Sequence, residues 1–159
     1  VHVGLGHLFF NMFALFSFGP IIEQTLGSGP FLLLYFGAEL AAHGFSLYLH
    51  KNNPDYAAIG ASGAVSGVVF PFCVFAPFQW LYVFFIPMPV IVFAVVYVLA
   101  PIYAMKAPGN RGMTGGIAHE AHIGGAVGGV LLTILLERRA AGSFLRQISD
   151  PGNWTGLFS

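Results

Sequence analysis

Residues 56–105 read YAAIGASGAVSGVVFPFCVFAPFQWLYVFFIPMPVIVFAVVYVLAPIYAM, and none of them is Asp, Glu, Lys or Arg. A helix that crosses the hydrocarbon core of a bilayer needs about 20 apolar residues, so this run is too long for one crossing and long enough for two. Pro77, Pro87 and Pro89 interrupt the run, and proline breaks a helix because it lacks an amide N–H and clashes with the preceding turn. We therefore expect two membrane helices, separated by a proline-bounded aromatic stretch at the membrane interface.

The composition of the whole chain favours a membrane protein. Of its 159 residues, 57% are hydrophobic and 8% are charged, whereas a soluble domain carries about 25% charged residues. Six Lys and Arg residues balance six Asp and Glu residues, so we expect no nucleic-acid partner. The single cysteine, Cys73, cannot form an internal disulfide. These features exclude a soluble enzyme and a disulfide scaffold, and they predict one all-α, polytopic helix bundle in the lipid bilayer.

We predict five membrane helices, bounded by glycine, proline or polar residues. Their approximate limits are Gly4–Leu26, Pro30–Leu49, Ala61–Phe75, Val90–Met105 and Ile117–Leu136. The transmembrane core then covers residues 1–137, and residues 138–159 form a C-terminal juxtamembrane tail. Because the first residue is Val1 rather than Met, we expect further chain upstream.

Four polar residues are predicted to meet at one end of the bundle. The first, third and fifth helices of such a bundle run in the same direction, so their N-terminal ends share one face of the membrane. His7 and Asn11 lie near the start of the first helix, Ser62 starts the third, and His122 lies about one turn into the fifth. His7 and Asn11 share a helix face because they are four residues apart.

Glycine spacing predicts that the third and fifth helices touch. Small residues four apart occur on each helix, as Gly63 and Gly67 on the third and Gly125 and Gly129 on the fifth. Such pairs let two helix backbones approach closely, and Gly60 lets the chain turn sharply before Ser62. Close approach would bring a short serine side chain within hydrogen-bond distance of the His122 imidazole.

This arrangement predicts a serine hydrolase. Ser62 would act as the nucleophile, and His122 would take its proton and return it to the leaving amine. His7, Asn11 and the Ser62 backbone N–H would stabilise the oxyanion. Glu120 is predicted to point away from the face that carries His122, so we expect a Ser-His dyad rather than a triad.

The other ionisable residues are predicted to lie outside this group. Glu39 and His43 belong to an antiparallel helix and are expected at mid-depth, so we favour the other polar residues as partners of Ser62. Glu23 is expected to hold a turn together. The sequence from His119 to His122 is one residue too short for the zinc signature HExxH, so we predict no metal site.

Several motifs in this order resemble those of the rhomboid intramembrane serine proteases. They are His7-Leu8-Phe9-Phe10-Asn11 (HxxxN), Glu23 with Gly27-Ser28 (ExxxGS), Gly60-Ala61-Ser62-Gly63 (GxSG), and Ala121-His122 through Gly125 to Gly129 (AHxxGxxxG). The match covers about Val1 to Glu137. It implies a six-helix core of which five helices are present here, and cleavage of peptide bonds in or near transmembrane segments of membrane-protein substrates. It also implies that the reaction needs no metal or cofactor.

The resemblance carries further expectations about the site. It implies that substrate enters laterally, that Lys106–Gly116 caps the site, and that the motif residues have the family roles, with Glu23 and the motif glycines as structural support. An aromatic residue in the family often follows the serine by one turn and packs on the histidine, but Ser66 stands at that position here. We consider Phe10 or Phe13 as its replacement. A bacterial inner membrane is the expected location for such a short core.

Two other functions fit parts of the same pattern. A catalytically inactive relative would bind transmembrane clients, although it would have no need of both Ser62 and His122. A metal or proton transporter would use His7, His119 and His122. Ser62 considered alone would be interpreted as a helix-packing serine.

Overall fold

The computed structural model describes residues 5–53, 61–83, 85–97 and 119–156. The described part is mostly helical, as predicted, with one β-hairpin. The elements are α1 (Leu5–Leu26), α2 (Ser28–Leu49), α3 (Ser62–Phe75), β1 (Trp80–Val83), β2 (Ile86–Pro89), α4 (described over 90–97), α5 (His119–Leu136), α6 (Ala140–Ser149) and α7 (Pro151–Thr155). These limits agree closely with the predicted helices. The predicted extensions to Met105 and back to Ile117 lie outside the described residues.

A single residue, Gly27, connects α1 to α2. Its φ is 87°, a left-handed value that glycine adopts at no steric cost. The Gly27 amide donates to the Glu23 carbonyl oxygen at 2.7 Å. Ser28 Oγ donates to Glu23 Oε1, also at 2.7 Å. Glu23 therefore contacts Gly27 through its backbone and Ser28, the first residue of α2, through its side chain.

The α3 and α5 backbones lie in direct contact and run in the same direction. A Cβ atom added to Gly125 would lie 2.7 Å from the Gly63 carbonyl carbon and 2.8 Å from the Gly63 Cα. One added to Gly129 would lie 2.8 Å from the Gly67 carbonyl carbon. Because the two contacts are four residues apart on both helices, the helices are parallel. The close approach predicted from the glycine spacing is thus present.

α2 packs antiparallel against both α3 and α5. Its two fully buried alanines meet the glycines of α3, since Ala42 lies against Gly63 and Ala38 lies against Gly67. α5 presents Gly124 to Ala42, where an added Cβ would lie 3.1 Å from the Ala42 Cα. The three helices therefore share one interface of small residues.

α3 is the central helix, and it begins well inside the end of α2. Each residue of α3 from Ser62 to Val74 is buried. From Ala42, which lies beside Gly63, α2 continues for seven residues to Leu49. At 1.5 Å per residue this extension is about 10 Å long. Ser62 thus lies about 10 Å below the end of the bundle that α2 forms.

α1 and α4 also pack on α3. The Phe18 ring of α1 lies 5.3 Å from the Phe72 ring, measured between centroids. At the start of α4, the Val90 carbonyl oxygen lies 3.8 Å from the Cys73 sulfur, which is near the end of α3. The other end of the described α4 reaches Ser66, near the start of α3. α4 is therefore antiparallel to α3.

The proline-bounded stretch after α3 contains a two-stranded antiparallel hairpin, which the sequence analysis did not predict. Trp80 pairs with Pro89, and Val83 pairs with Ile86. Proline is tolerated in β2 because each strand of a two-stranded sheet has a free edge. Beyond α5 the chain bends by 110° into α6, where Gln147 Nε2 donates to the Phe75 carbonyl oxygen at 3.2 Å. The hairpin and α6 thus lie at the end of α3 opposite Ser62.

The outer face of the bundle is apolar. Phe16, Leu40 and Leu135 are 73–82% exposed, an arrangement that suits lipid better than water. Within the described residues, one helix, Ser28–Leu49, is long and apolar enough by itself to cross a membrane. Glu120–Leu136 meets the same test only together with α6, across the bend.

Candidate active site

The structure places Ser62 and His122 at the adjoining ends of two touching helices. Ser62 is the first residue of α3 and is 8% exposed. His122 lies in the first turn of α5 and is half-buried. The residues beside them are close neighbours, because a Cβ atom on Gly63 would lie 3.5 Å from the Ala121 carbonyl oxygen. The two predicted catalytic residues are therefore brought to the same part of the bundle.

Glu39 lies beside this site, contrary to the sequence prediction. Its Oε2 accepts a hydrogen bond from the Ala64 backbone N–H at 2.6 Å. The same oxygen lies 3.1 Å from the position that a Gly63 Cβ would occupy. The contact was missed because the start of α3 was predicted to lie at shallow depth, whereas α3 begins about two turns below the end of α2.

A chain of hydrogen bonds joins α4 to the Ser62 backbone. Ser66 Oγ donates to the Ser62 carbonyl oxygen at 2.9 Å and lies 2.8 Å from the Tyr97 hydroxyl oxygen. A carbonyl oxygen can only accept, so this bond uses the single hydroxyl hydrogen of Ser66. Tyr97 therefore donates to Ser66, and Ser66 donates to Ser62.

Tyr97 also supplies an aromatic ring beside His122. The two ring centroids are 6.1 Å apart, with an interplanar angle of 52°. The short side chain of Ser66 leaves room for this ring and accepts a hydrogen bond from the Tyr97 hydroxyl group. Phe10 and Phe13 were the residues expected in this role, and Tyr97 was not predicted. No local signal marks Tyr97, because it lies 31 residues from Ser66 and on another helix.

The Glu120 side chain contacts His50 at the end of α2. Its Oε1 lies 2.8 Å from Nε2 of His50, the C-cap residue of α2, and both side chains are half-buried. This contact connects the start of α5 to the end of α2. His122, two residues later, is therefore on a helix whose first turn is anchored.

The predicted oxyanion residues belong to the start of α1. Asn11 is half-buried and precedes Ala14 by one turn. Ala14 packs against the cluster that contains Val65 and Val69 of α3, so Asn11 lies toward the Ser62 end of the bundle. The His7 side chain lies outside the described part of the structure.

Some other predicted features also lie outside the described residues. They are Gly60, the His119 side chain and the Lys106–Gly116 loop. Within the described residues, no group of three His, Cys, Asp or Glu side chains has an arrangement that could hold a metal ion.

Comparison with known proteins identifies the family. The family model named Rhomboid domain matches residues 1–139. The chain belongs to the rhomboid family. Its relatives include the yeast (Saccharomyces cerevisiae) protein named Rhomboid protein 1, mitochondrial, which is 32% identical over 96% of this chain and 44% of the relative. The human (Homo sapiens) protein named Presenilin-associated rhomboid-like protein, mitochondrial, is 32% identical over 81% of this chain and 34% of its own length.

A bacterial relative is also similar. The protein named Rhomboid protease GluP, from Bacillus subtilis, is 42% identical over 42% of this chain and 12% of its own length. The rhomboid chain therefore spans less than half the length of these curated relatives. No solved structure matches it.

Rhomboid-family proteins are embedded in membranes. The expected bacterial inner membrane is not supported, because relatives that align over most of this chain are named as mitochondrial proteins.

Proposed function

We propose that this rhomboid protein is an intramembrane serine endopeptidase that cleaves peptide bonds in or near transmembrane segments. The observation that carries the proposal is the backbone contact between Gly63 and Gly125, which brings the Ser62 end of α3 to the His122 end of α5. A serine becomes a strong nucleophile only when a base takes its proton, and His122 is the base offered here.

The proposed reaction has two stages. In the first, Ser62 Oγ attacks the substrate carbonyl carbon while His122 takes the hydroxyl proton, and His122 then gives that proton to the leaving amine as the C–N bond breaks. In the second, water gives a proton to His122 and attacks the acyl-enzyme ester. Ser62 leaves with the proton that His122 returns. The balance is one peptide bond hydrolysed by one water molecule.

The start of α3 supports an oxyanion-stabilising role for backbone amides. The first amides of a helix have no partner within it and carry the positive end of the helix dipole. We assign the Ser62 N–H to the oxyanion, with His7 and Asn11 of α1 as further donors. Loss of one such donor typically lowers the rate about 10²- to 10³-fold.

A cavity on the side of the bundle supports lateral entry of a transmembrane substrate. It has a volume of about 460 Å³ and lies between α1, α3, α4 and the hairpin. Phe13 and Ile21 of α1 and Phe93 of α4 contribute to its apolar lining, and Tyr97 forms the part nearest His122. We propose that a single-span segment with small or helix-destabilising residues enters here, because attack requires an extended chain.

We further propose that the chain crosses the membrane five times, with α1 to α5 as the spans. Residues 1–137 would form the transmembrane core and residues 138–159 the juxtamembrane tail. The exposed apolar side chains on the outer face support this arrangement. Accessibility labelling of single cysteines at 51 and 106, introduced by Lys51→Cys and Lys106→Cys in a Cys73→Ala background, tests it, because a five-span chain places these two positions on the same side.

Labelling with a fluorophosphonate probe tests the catalytic assignment. We expect the purified protein to react at Ser62, and we expect Ser62→Ala and His122→Ala each to abolish both labelling and cleavage of a single-span test substrate in detergent. Because the two residues act as a unit, the double variant should be no worse than either single variant. Folded wild-type protein that neither labels nor cleaves would instead favour the inactive, client-binding alternative. Metal bound to the purified protein would favour the transporter alternative.

A further inference from the structure

α2 presents a row of polar side chains to the starts of α3 and α5. Glu39, His43 and His50 are four and seven residues apart, so they lie along one side of the helix. Glu39 contacts α3 through Ala64, and His50 contacts α5 through Glu120. One helix therefore holds both of the helix ends on which the proposed reaction depends.

Glu39 performs the task of a helix N-cap from a neighbouring helix. The Ala64 amide is the third of α3, and an amide at this position has no partner within the helix. The residue that precedes α3, Ala61, has no side chain that could accept its hydrogen bond. The Glu39 carboxylate accepts it at 2.6 Å, and its negative charge is favourable at the positive end of the helix.

His43 fixes the direction of the Glu39 carboxylate. His43 Nδ1 lies 3.1 Å from the Glu39 carbonyl oxygen and 3.3 Å from Glu39 Oε1. Because the carbonyl oxygen can only accept, Nδ1 carries the hydrogen and donates toward both oxygens. The second carboxylate oxygen, Oε2, then remains directed at Ala64.

We propose that Glu39 is a positioning residue for the reaction at Ser62. Its hydrogen bond to Ala64 holds α3 at one axial level against α2, and so sets the height of Ser62 relative to His122. Glu39 acts through the α3 backbone and does not contact the substrate. The inference rests on the proposed function, because it assigns a role within that reaction.

Two substitutions at position 39 separate the hydrogen bond from the charge. Glu39→Leu keeps side-chain volume but removes the acceptor, whereas Glu39→Gln keeps an acceptor oxygen and removes the charge. We expect Glu39→Leu to lower kcat by about 10- to 100-fold with little change in KM, since displacement of a reacting group by about 1 Å is sufficient for such a loss. We expect Glu39→Gln to retain part of the activity, because its single oxygen can accept from the Ala64 N–H only while its NH2 group faces the His43 Nδ1–H.

A control in the same helix distinguishes positioning from general loss of stability. Leu34 is fully buried in the apolar part of α2, so Leu34→Ala should lower the melting temperature without lowering kcat of the folded protein. Hydrogen exchange provides a readout that does not require activity, because the Ala64 amide should exchange faster in Glu39→Leu than in wild type or Glu39→Gln.

The outcomes separate this inference from the proposed function. Unchanged kcat in Glu39→Leu, in a wild-type background that labels at Ser62, overturns the positioning role alone. A loss in Glu39→Gln as large as that in Glu39→Leu also overturns it, because the acceptor would not be the important feature. Wild-type protein that fails to label overturns the proposed function and the positioning role together.

Discussion

Gly125→Ala tests whether the contact between α3 and α5 sets the catalytic geometry. The added Cβ would lie 2.7 Å from the carbonyl carbon of Gly63, whereas ordinary contact begins at 3.4 Å. The atoms it meets belong to the backbone, so no side-chain rotation can relieve the overlap. The helices must therefore separate by at least the difference, about 0.7 Å.

This separation predicts a larger effect on the reaction than on folding. Overpacking a well-packed interface costs about 1–3 kcal/mol, which a stable bundle can tolerate. A shift of the reacting groups approaching 1 Å lowers kcat by up to about 10²-fold, because Ser62 and His122 lie on the two helices that are forced apart. We expect a folded protein with a small loss of melting temperature and a large loss of kcat.

The assay compares Gly125→Ala with Gly44→Ala in the same detergent. No described atom lies within 4 Å of a Cβ at Gly44, so this control adds the same methyl group to a helix without a collision. For each variant, kcat for a single-span substrate and the fluorophosphonate labelling rate are measured beside the melting temperature. Normal kcat and labelling in Gly125→Ala would refute the idea that the glycine contact sets the geometry.

Two further predictions concern the contacts around the site. Tyr97→Phe and Ser66→Ala should each lower stability modestly, because both remove the same hydrogen bond. A double-mutant cycle should therefore give a coupling free energy of about 0.5–1.5 kcal/mol. Additive effects of the two substitutions would contradict the contact. Tyr97→Leu should lower kcat more than Tyr97→Phe, since only Phe keeps a ring beside His122. His50→Ala should lower the free energy of unfolding by about 0.5–1.5 kcal/mol, because it removes the hydrogen bond to Glu120. His50→Gln should recover part of the loss, and equal melting temperatures for the three proteins would contradict this.

The sequence was sufficient to predict the helices and the contact between two of them. Apolar runs bounded by Gly27, Pro30 and the residues after Leu49 define α1 and α2 because glycine and proline have strong local effects on the backbone. The four-residue spacing of Gly63 and Gly67 predicts a helix contact because it places both small residues on the same face of α3. Both inferences use information that lies within one helix.

Contacts between residues on different helices were not predictable in the same way. The proximity of Glu39 to Ala64 depends on how far α3 lies below the end of α2, and sequence spacing does not report this depth. The contact of Tyr97 with Ser66 depends on the packing of α4 against α3. Ser66 gave a partial signal, because the absence of an aromatic residue there indicated that another ring was needed.

The small residues and the polar residues of α2 have complementary effects on the site. Ala38 and Ala42 allow α2 to approach α3 and α5 closely, but each van der Waals contact between two atoms contributes only about 0.1–0.2 kcal/mol. A hydrogen bond loses strength steeply when its distance or angle changes, so Glu39 and His50 can fix the axial level that the alanines leave open. The distance between Ser62 and His122 then depends on both sets of residues. The alanines determine how closely the helices approach, and Glu39 and His50 determine the axial level of each helix. For this reason substitutions in both sets should lower kcat, even though none of these side chains takes part in the chemistry.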